Sequence, residues 1–473
     1  MKTWAANKWD LLKDNFLFVP LAMCAIAVVT CLTLSYVDTQ ITLPQSGLLS
    51  LLRSGNAEGV RSLLTALVGS LMTALCIVFS ITVVALTLAA SQLGPRLLRN
   101  FMRDRSNQVI LGVFVATFLY CLLTLRLVGQ ATSPEQLPHL TVVGGFALAC
   151  AALAVLVYFI HHVALSIQSP QVITSVAREL MDLIDRSFPE PGDEQPEKPD
   201  IPDDVSSDFR QVTADWDGYI QAIDEQGLIR IAEECDVILK ILCRPGHFVA
   251  KGEEVAQVYS AEEQEEARDH AVQAIRGSFA WTHDRSDIAA RYTVSREAVR
   301  RTVIQGSRRN AIQDLEFVMM QLVEIATRAL SPGINDPFTA MTCIDRLGAA
   351  MCEIARRPMP PTSRFDDDGN LRLILDQTDF QGLCRAAFCQ IRQHAHDNAA
   401  VSIRLLEALH RIAKQTRTDE QRQAVWQHAQ MVNRAGQKLP EPLDQENVAD
   451  RFDAIREELA DFLQTSEQLG NAD

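Results

Sequence analysis

The sequence holds no Gly-rich phosphate loop, no Gly-x-Ser-x-Gly elbow and no His-Glu-x-x-His. Phosphate-loop nucleotide chemistry, α/β-hydrolase chemistry and zincin-type hydrolysis therefore lack their signatures. No pair among its eleven cysteines has Cys-x-x-Cys spacing, and His161-His162 and His394-x-His396 are the only close histidine pairs. Two histidines without an assigned carboxylate or thiol partner do not make a metal site, so neither a metal nor a cofactor is expected and the chain is not read as an enzyme. Cys24, Cys31, Cys76, Cys121 and Cys150 lie in or beside apolar runs, and the other six fall in the part read as cytoplasmic. A reducing compartment disfavours bridges there, which leaves small buried hydrophobes as their reading.

Charge is the other scarcity. Residues 16–37, 62–94, 109–125 and 140–165 carry none at mid-depth, and a helix rising 1.5 Å per residue needs about 20 apolar residues to cross the hydrocarbon. Four transmembrane spans are expected. The first follows Lys2, Lys8 and Lys13, as a secretory signal would. Its core is too long and has no convincing small-residue cleavage site, so it reads as a retained span.

Those three lysines, with Arg96, Arg99, Arg103 and Arg105 between spans two and three, outweigh Arg53, Arg61 and Arg126 in the other connections. Positive flanks stay inside, which predicts both termini in the cytoplasm. Residues 1–170 hold ten Lys or Arg against six Asp or Glu, so the remainder carries the whole acidic surplus behind the net charge of −15. An acidic cytoplasmic part repels nucleic acid at long range, and nucleic acid is not expected as a partner.

Span two is long for a bilayer and must tilt, kink or project from it. Ser62, Thr65, Gly69, Thr73, Cys76, Ser80, Thr87 and Ser91 advance along it by threes, fours and sevens and share one helical face. Two readings stand. Such a stripe lets helices approach closely and bond across a contact, or it lines a water path when several subunits bring it to a common axis. The absence of mid-depth charge argues against a proton relay or coupled transporter and favours a passive pore among transport mechanisms.

A helix over 169–187 should follow the fourth span. Residues 188–212 form a Pro-rich acidic linker with Pro189, Pro191, Pro196, Pro199 and Pro202. A small β-rich, barrel-like module is expected at 213–260, with strands over 218–223, 237–243 and 255–259 around a helix at 228–234 and a turn at Arg244-Pro245-Gly246. The stretch 245–252 is similar to the turn region of biotinyl or lipoyl modules, but it has no lysine at a hairpin tip and implies no such chemistry. Helix formers dominate 261–473. Within them, Asp287 to Arg301 resembles a helix-turn-helix with Arg296, Arg300 and Arg301 on its second helix; Thr293 stands where the turn usually has glycine. A helical pair with a basic exposed face is the favoured reading, since short motif matches have many false positives and the surrounding domain is acidic.

The most specific motif is Ala329-Leu-Ser-Pro-Gly-Ile-Asn-Asp-Pro-Phe-Thr-Ala340, which holds Ser331, Pro332, Gly333, Asn335, Asp336, Pro337 and Thr339. A helix from about Arg309 should end before Pro332, Pro332-Gly333 should turn, and Asp336 should cap a new helix opened by Pro337. Upstream, Asp314, Gln321 and Arg328 recur every seven residues as a polar line beside Phe317, Leu322, Ile325 and Ala326. This line is suited to pairing between subunits, to receiving Asn335, or to facing solvent.

Together with Ser91-Gln-Leu-Gly-Pro95-Arg96-Leu-Leu98 and Gly218-Tyr-Ile220, these residues resemble the bacterial predicted-membrane-protein family called domain of unknown function 2254. The resemblance spans the whole chain. It implies a multi-span protein of the bacterial inner membrane whose cytoplasmic domain belongs to the same unit, and it lowers the helix-turn-helix reading.

The expected architecture is mainly α: a four-span transmembrane helical bundle over 1–187, then a cytoplasmic domain with a small β-barrel-like module and a helical bundle. The function it points to is a homo-oligomeric ion or small-solute channel in the lipid bilayer, with the cytoplasmic domain sensing or gating. The alternative is a non-conducting, membrane-anchored regulatory or scaffold protein signalling through its cytoplasmic helices.

Overall fold

The computed structural model describes residues 18–40, 57–93, 105–130, 137–166, 169–190, 209–259, 269, 271–275, 279–282 and 303–464. Pro95, Arg96, the helix-turn-helix segment 287–301 and the linker residues 191–208 lie outside the described residues. The chain divides into two compact units, Met1–Gln171 and Val172–Asp473.

The first unit contains α1 (Phe18–Gln40), α2 (Ala57–Leu93), α3 (Arg105–Gln130) and α4 (His139–Ser166), and these four helices are long and apolar enough to cross a membrane. Helix α3 is the hub. Its Ile110, Phe114 and Cys121 pack with Leu71, Val78 and Ala85 of α2 and with Ala152, Phe159 and Val163 of α4. Its Ala116 and Tyr120 take Ala27 and Cys31 of α1. Half of α3's apolar window is buried while the other three helices stay largely open. Glycine makes two of these contacts possible: a Cβ on Gly112 would lie 2.5 Å from the Met23 sulfur, and one on Gly144 would lie 2.5 Å from the Tyr120 hydroxyl.

One charge in this bundle has a defined structural role. Asp38, near the end of α1, accepts from Leu140 N (2.9 Å), Thr141 N (3.0 Å) and Thr141 Oγ1 (2.8 Å), and so caps the first turn of α4 from another helix. Tyr120 donates to the Thr141 carbonyl at 3.0 Å.

Nearly all of α5 (Ser169–Ser187) belongs to the second unit. It buries Ile173, Val176, Leu180, Leu183 and Ile184, an i, i+3, i+7 stripe, while its charged residues face outward. Arg357, itself buried, donates to Asp185 of α5 and, at 2.9 Å, to Glu353, so the end of α5 is tied to the helical part of its unit.

Two sheets follow. The five-stranded one runs β1 (Arg210–Thr213), β5 (Glu254–Tyr259), β3 (Ile238–Ile241), β9 (Leu371–Leu375), β8 (Ser363–Phe365). The four-stranded one runs β4 (Phe248–Val249), β2 (Gly218–Ile223), β7 (Val303–Gly306), β6 (Phe279–Thr282). Helix α6 (Glu225–Cys235), capped by Asp224, contributes Leu228, Ile231 and Ala232 to the core under both sheets.

This corrects the expectation of a self-contained barrel-like module at 213–260. Neither sheet closes into a barrel among the described residues, and both are completed by strands from the stretch read as purely helical. β3 pairs in parallel with β9, Leu239 opposite Leu373, and β2 pairs with β7. The reason is burial: β3, with Leu239 and Ile241 fully covered, needs a partner on each edge, and an apolar strand far along the chain supplies it.

The rest is helical: α7 (Leu315–Ala329), α8 (Pro337–Arg356), α9 (Phe380–His394), α10 (Ala399–Ala413), α11 (Asp419–Gly436) and α12 (Pro442–Glu458). Asp314, Asp336, Asp379, Asn398 and Thr418 cap the first five, the last as a capping box with Gln421. Helix α7 begins at 315 and not near Arg309. The side chain of Gln313 bonds both the N–H (2.8 Å) and the carbonyl (3.1 Å) of Ile223, which holds the preceding residues against β2 in an irregular path.

Candidate functional site

The hydroxyl stripe of α2 lies open. Ser62, Thr65, Gly69, Thr73, Cys76, Ser80, Thr87 and Ser91 are all exposed, whereas the buried positions are Val60, Leu64, Leu71, Val78 and Ala85. At about 100° per residue the two sets lie on opposite sides of the helix. The stripe is therefore not the seam by which α2 packs within its own bundle; the apolar face does that. Thr65, Thr73 and Thr87 turn their hydroxyls onto their own helix, donating to the carbonyls of Arg61 (2.7 Å), Gly69 (3.1 Å) and Val83 (2.9 Å). A Cβ added at Gly69 would meet nothing within 4 Å, so another helix backbone has room to approach here.

In the second unit the residues of the heptad line separate. Asp314 and Gln321 are buried, and Arg328 is half-buried with Glu324 at 3.7 Å. Asp314 accepts from Phe317 N at 2.9 Å as the α7 cap and takes both Nε (2.7 Å) and Nη2 (2.8 Å) of Arg309. Burial pushes its carboxyl above the ordinary carboxylate range, against the pull of Arg309 and the Phe317 amide. The Arg244-Pro245-Gly246 turn docks on this pair. Gly246 has φ +95°, and a Cβ there would lie 2.2 Å from an Asp314 carboxylate oxygen and 2.7 Å from Arg309 Nη2. Beside it, burial and then the Arg244 guanidinium push His247 below its ordinary pKa, while Asp376 and Glu316 pull the other way.

This corner borders a cavity of about 470 Å³. Its wall takes Leu183 and Arg186 from α5 and Phe188 just after it, Arg244 from the turn, Glu316 from the first turn of α7, and Asp376 and Thr378 from the segment after β9. Arg244 pairs with Glu316 at 3.0 Å and more loosely with Asp376 at 3.8 Å; Arg364 pairs with Glu225 at 2.7 Å. Thr378 donates to Glu316 at 3.2 Å. The wall thus alternates ion pairs with apolar surface.

The 329–340 motif is built from turn chemistry. Ile334 N and Asn335 N donate to the Ser331 carbonyl, Asp336 N donates to the Ala329 carbonyl at 2.7 Å, and Asn335 takes a left-handed φ of +49°. Asp336 accepts from Thr339 N (3.1 Å) and Thr339 Oγ1 (2.6 Å), with Pro337 at the first helical position. Pro332, Gly333, Ile334, Asn335 and Phe338 are exposed around that scaffold.

Sequence reasoning singled out Asp314 but missed Arg309, Arg244, Gly246, Glu316, Asp376, Arg357 and Asp38. The Arg244-Pro-Gly turn was visible as a turn; what it docks against was not, because Gly246 and Asp314 are far apart along the chain.

Compared with known proteins, residues 13–411 match the family described as Predicted membrane protein (DUF2254). An uncharacterized protein of Mycobacterium tuberculosis (strain H37Rv) is 31% identical over 387 residues, covering 81% of this chain and 69% of its own length. An uncharacterized protein of Mycobacterium bovis matches with the same identity and coverage. No solved structure matches the chain.

Proposed function

This chain belongs to the DUF2254 family of predicted membrane proteins, and we propose that it assembles as a homo-oligomeric passive pore for an ion or small solute. The hydroxyl face of α2 lines the pore, and the second unit senses or gates. The reading places the protein in a bacterial inner membrane with both termini in the cytoplasm, in keeping with the lysines before span one and the arginines between spans two and three.

The observation that carries it is the orientation of α2. Lipid is best met by large apolar side chains, and the outward surface of this helix has them in Phe79, Val84 and Leu88; between them the stripe of Ser62, Gly69, Thr73, Ser80 and Thr87 is also outward, opposite the face that packs in the bundle. Small and hydroxylated surface suits close helix approach or water, and a ring of such faces supplies both. With no ionisable residue at mid-depth, the path offers passive permeation and no coupled proton step.

The test is flux through purified protein in liposomes, comparing wild type with Ser80→Leu at matched oligomeric size. Flux that the leucine abolishes without changing assembly supports the pore. Loss of the oligomer makes the stripe a packing seam. A wild type that is assembled and silent across ions and pH values counts against an open pore and favours a non-conducting regulatory role.

A further inference from the structure

The cavity of about 470 Å³ in the second unit has the size of a small-molecule site and a charge pattern that selects its ligand. Its wall carries the guanidiniums of Arg186, Arg244 and Arg364. Against them stand the carboxylates of Glu225, Asp314, Glu316 and Asp376, and Arg309 cancels Asp314 from behind. The lining is therefore balanced. A singly charged ligand would leave one charge uncompensated in a half-buried site, whereas a ligand bringing one charge of each sign would not.

Two of these groups have capacity to spare. Asp376 has Arg244 at 3.8 Å as its cation, well outside hydrogen-bond distance, because Arg244 is committed to Glu316 at 3.0 Å. Arg186 donates Nε to the Asp182 carbonyl at 2.9 Å and makes no ion pair among the described residues, which leaves its terminal fork for a carboxylate. Leu183, Phe188 and Leu375 supply an apolar wall beside them.

We propose that this cavity binds a free amino acid with an apolar side chain, its ammonium on Asp376, its carboxylate on Arg186 and its side chain against Leu183, Phe188 and Leu375. Arg186 and Leu183 belong to α5, the helix that follows span four in the sequence, so occupancy bears directly on that helix. Only this regulatory consequence rests on the pore reading; binding stands apart from it.

The test uses the full chain purified in detergent and isothermal titration calorimetry, with no flux measurement. The probes are leucine, methionine and phenylalanine, and two leucine analogues that each keep one charge, 3-methylbutylamine and 4-methylpentanoate. Saturable binding of at least one amino acid at one per chain is expected, with both analogues weaker by about tenfold or more. Asp376→Asn and Arg186→Gln should each weaken binding by a similar factor while leaving the melting temperature of the empty protein unchanged. The proposal is overturned if none of the three amino acids binds wild type, if either analogue binds as well as leucine, or if both variants keep full affinity. The wild-type analogue comparison needs no variant to fold, and a protein that binds leucine yet conducts nothing sinks the pore reading alone.

Discussion

Gly246→Ala is the sharpest perturbation of the second unit. At φ +95° an L-residue is strained by about 1–2 kcal/mol before any contact is considered. The added methyl would sit 2.2 Å from Asp314 Oδ2 and 2.7 Å from Arg309 Nη2, so the bidentate pair must open. Breaking a buried ion pair costs about 3–5 kcal/mol, and Asp314 is 3% exposed, although Arg309 at 27% retains some access to water and softens the loss. The carboxylate also caps α7, a contribution of about 1 kcal/mol. Allowing for relaxation, the net cost is about 4 kcal/mol, or a fall of about 10 °C in melting temperature for a unit of this size. Scanning calorimetry of the full chain in detergent measures it. Placed in an Asp314→Ala background, where the carboxylate clash is gone and the Arg309 guanidinium, released from its partner, is free to swing away, Gly246→Ala should cost little beyond its backbone strain, so the two changes should be markedly less than additive. A single-variant shift under about 2 °C, or full additivity of the pair, would refute the packing argument.

Other expectations follow from buried polar groups. Burial, with Arg392 and Arg385 nearby, pushes His428 down to about 4, so the unfolded chain takes up a proton near its ordinary 6.5 that the folded chain refuses. Stability from this site is complete above pH 6.5 and declines as pH falls towards 4, by about 3 kcal/mol in all; His428→Leu should flatten melting temperature over that window relative to wild type, and parallel curves would count against it. Asp38→Ala removes the acceptor of three bonds at the start of α4, and should cost about 1–2 kcal/mol with faster hydrogen exchange at 140–143. Asp185→Ala should free the end of α5, read as faster exchange at 183–188, with little change in melting because Glu353 still neutralises Arg357. Adding Glu353→Ala strands a buried guanidinium and should cost about 3–5 kcal/mol more.

What was legible in the sequence was whatever depends on neighbours along the chain. The four apolar runs announced α1 to α4, since the length needed to cross hydrocarbon is a property of a contiguous segment. Asp336-Pro337 announced the start of α8, because a cap and its first turn lie within four residues. The face of α2 that carries the hydroxyls was readable from spacing alone; whether it points into its own bundle was not, because that depends on where α3 lies.

The remainder depended on residues far apart in sequence. The strand 371–375 reads as an apolar stretch in a helical region, and only its parallel pairing with β3 makes it part of the sheet. Asp314 read as one member of a polar heptad line, open to subunit pairing, Asn335 or solvent, and only the structure shows Arg309 and the Gly246 turn closed over it. Composition and periodicity thus determined a chain with four helices long and apolar enough to cross a membrane, a mainly helical remainder and capped helix starts, since apolar length and local hydrogen bonding are written residue by residue. Only the tertiary structure decided the two sheets, the Asp38 cap on α4, the Arg357 clamp and the balanced cavity, because strand partners and ion pairs are chosen through space, by burial and charge, between segments that the chain order keeps apart.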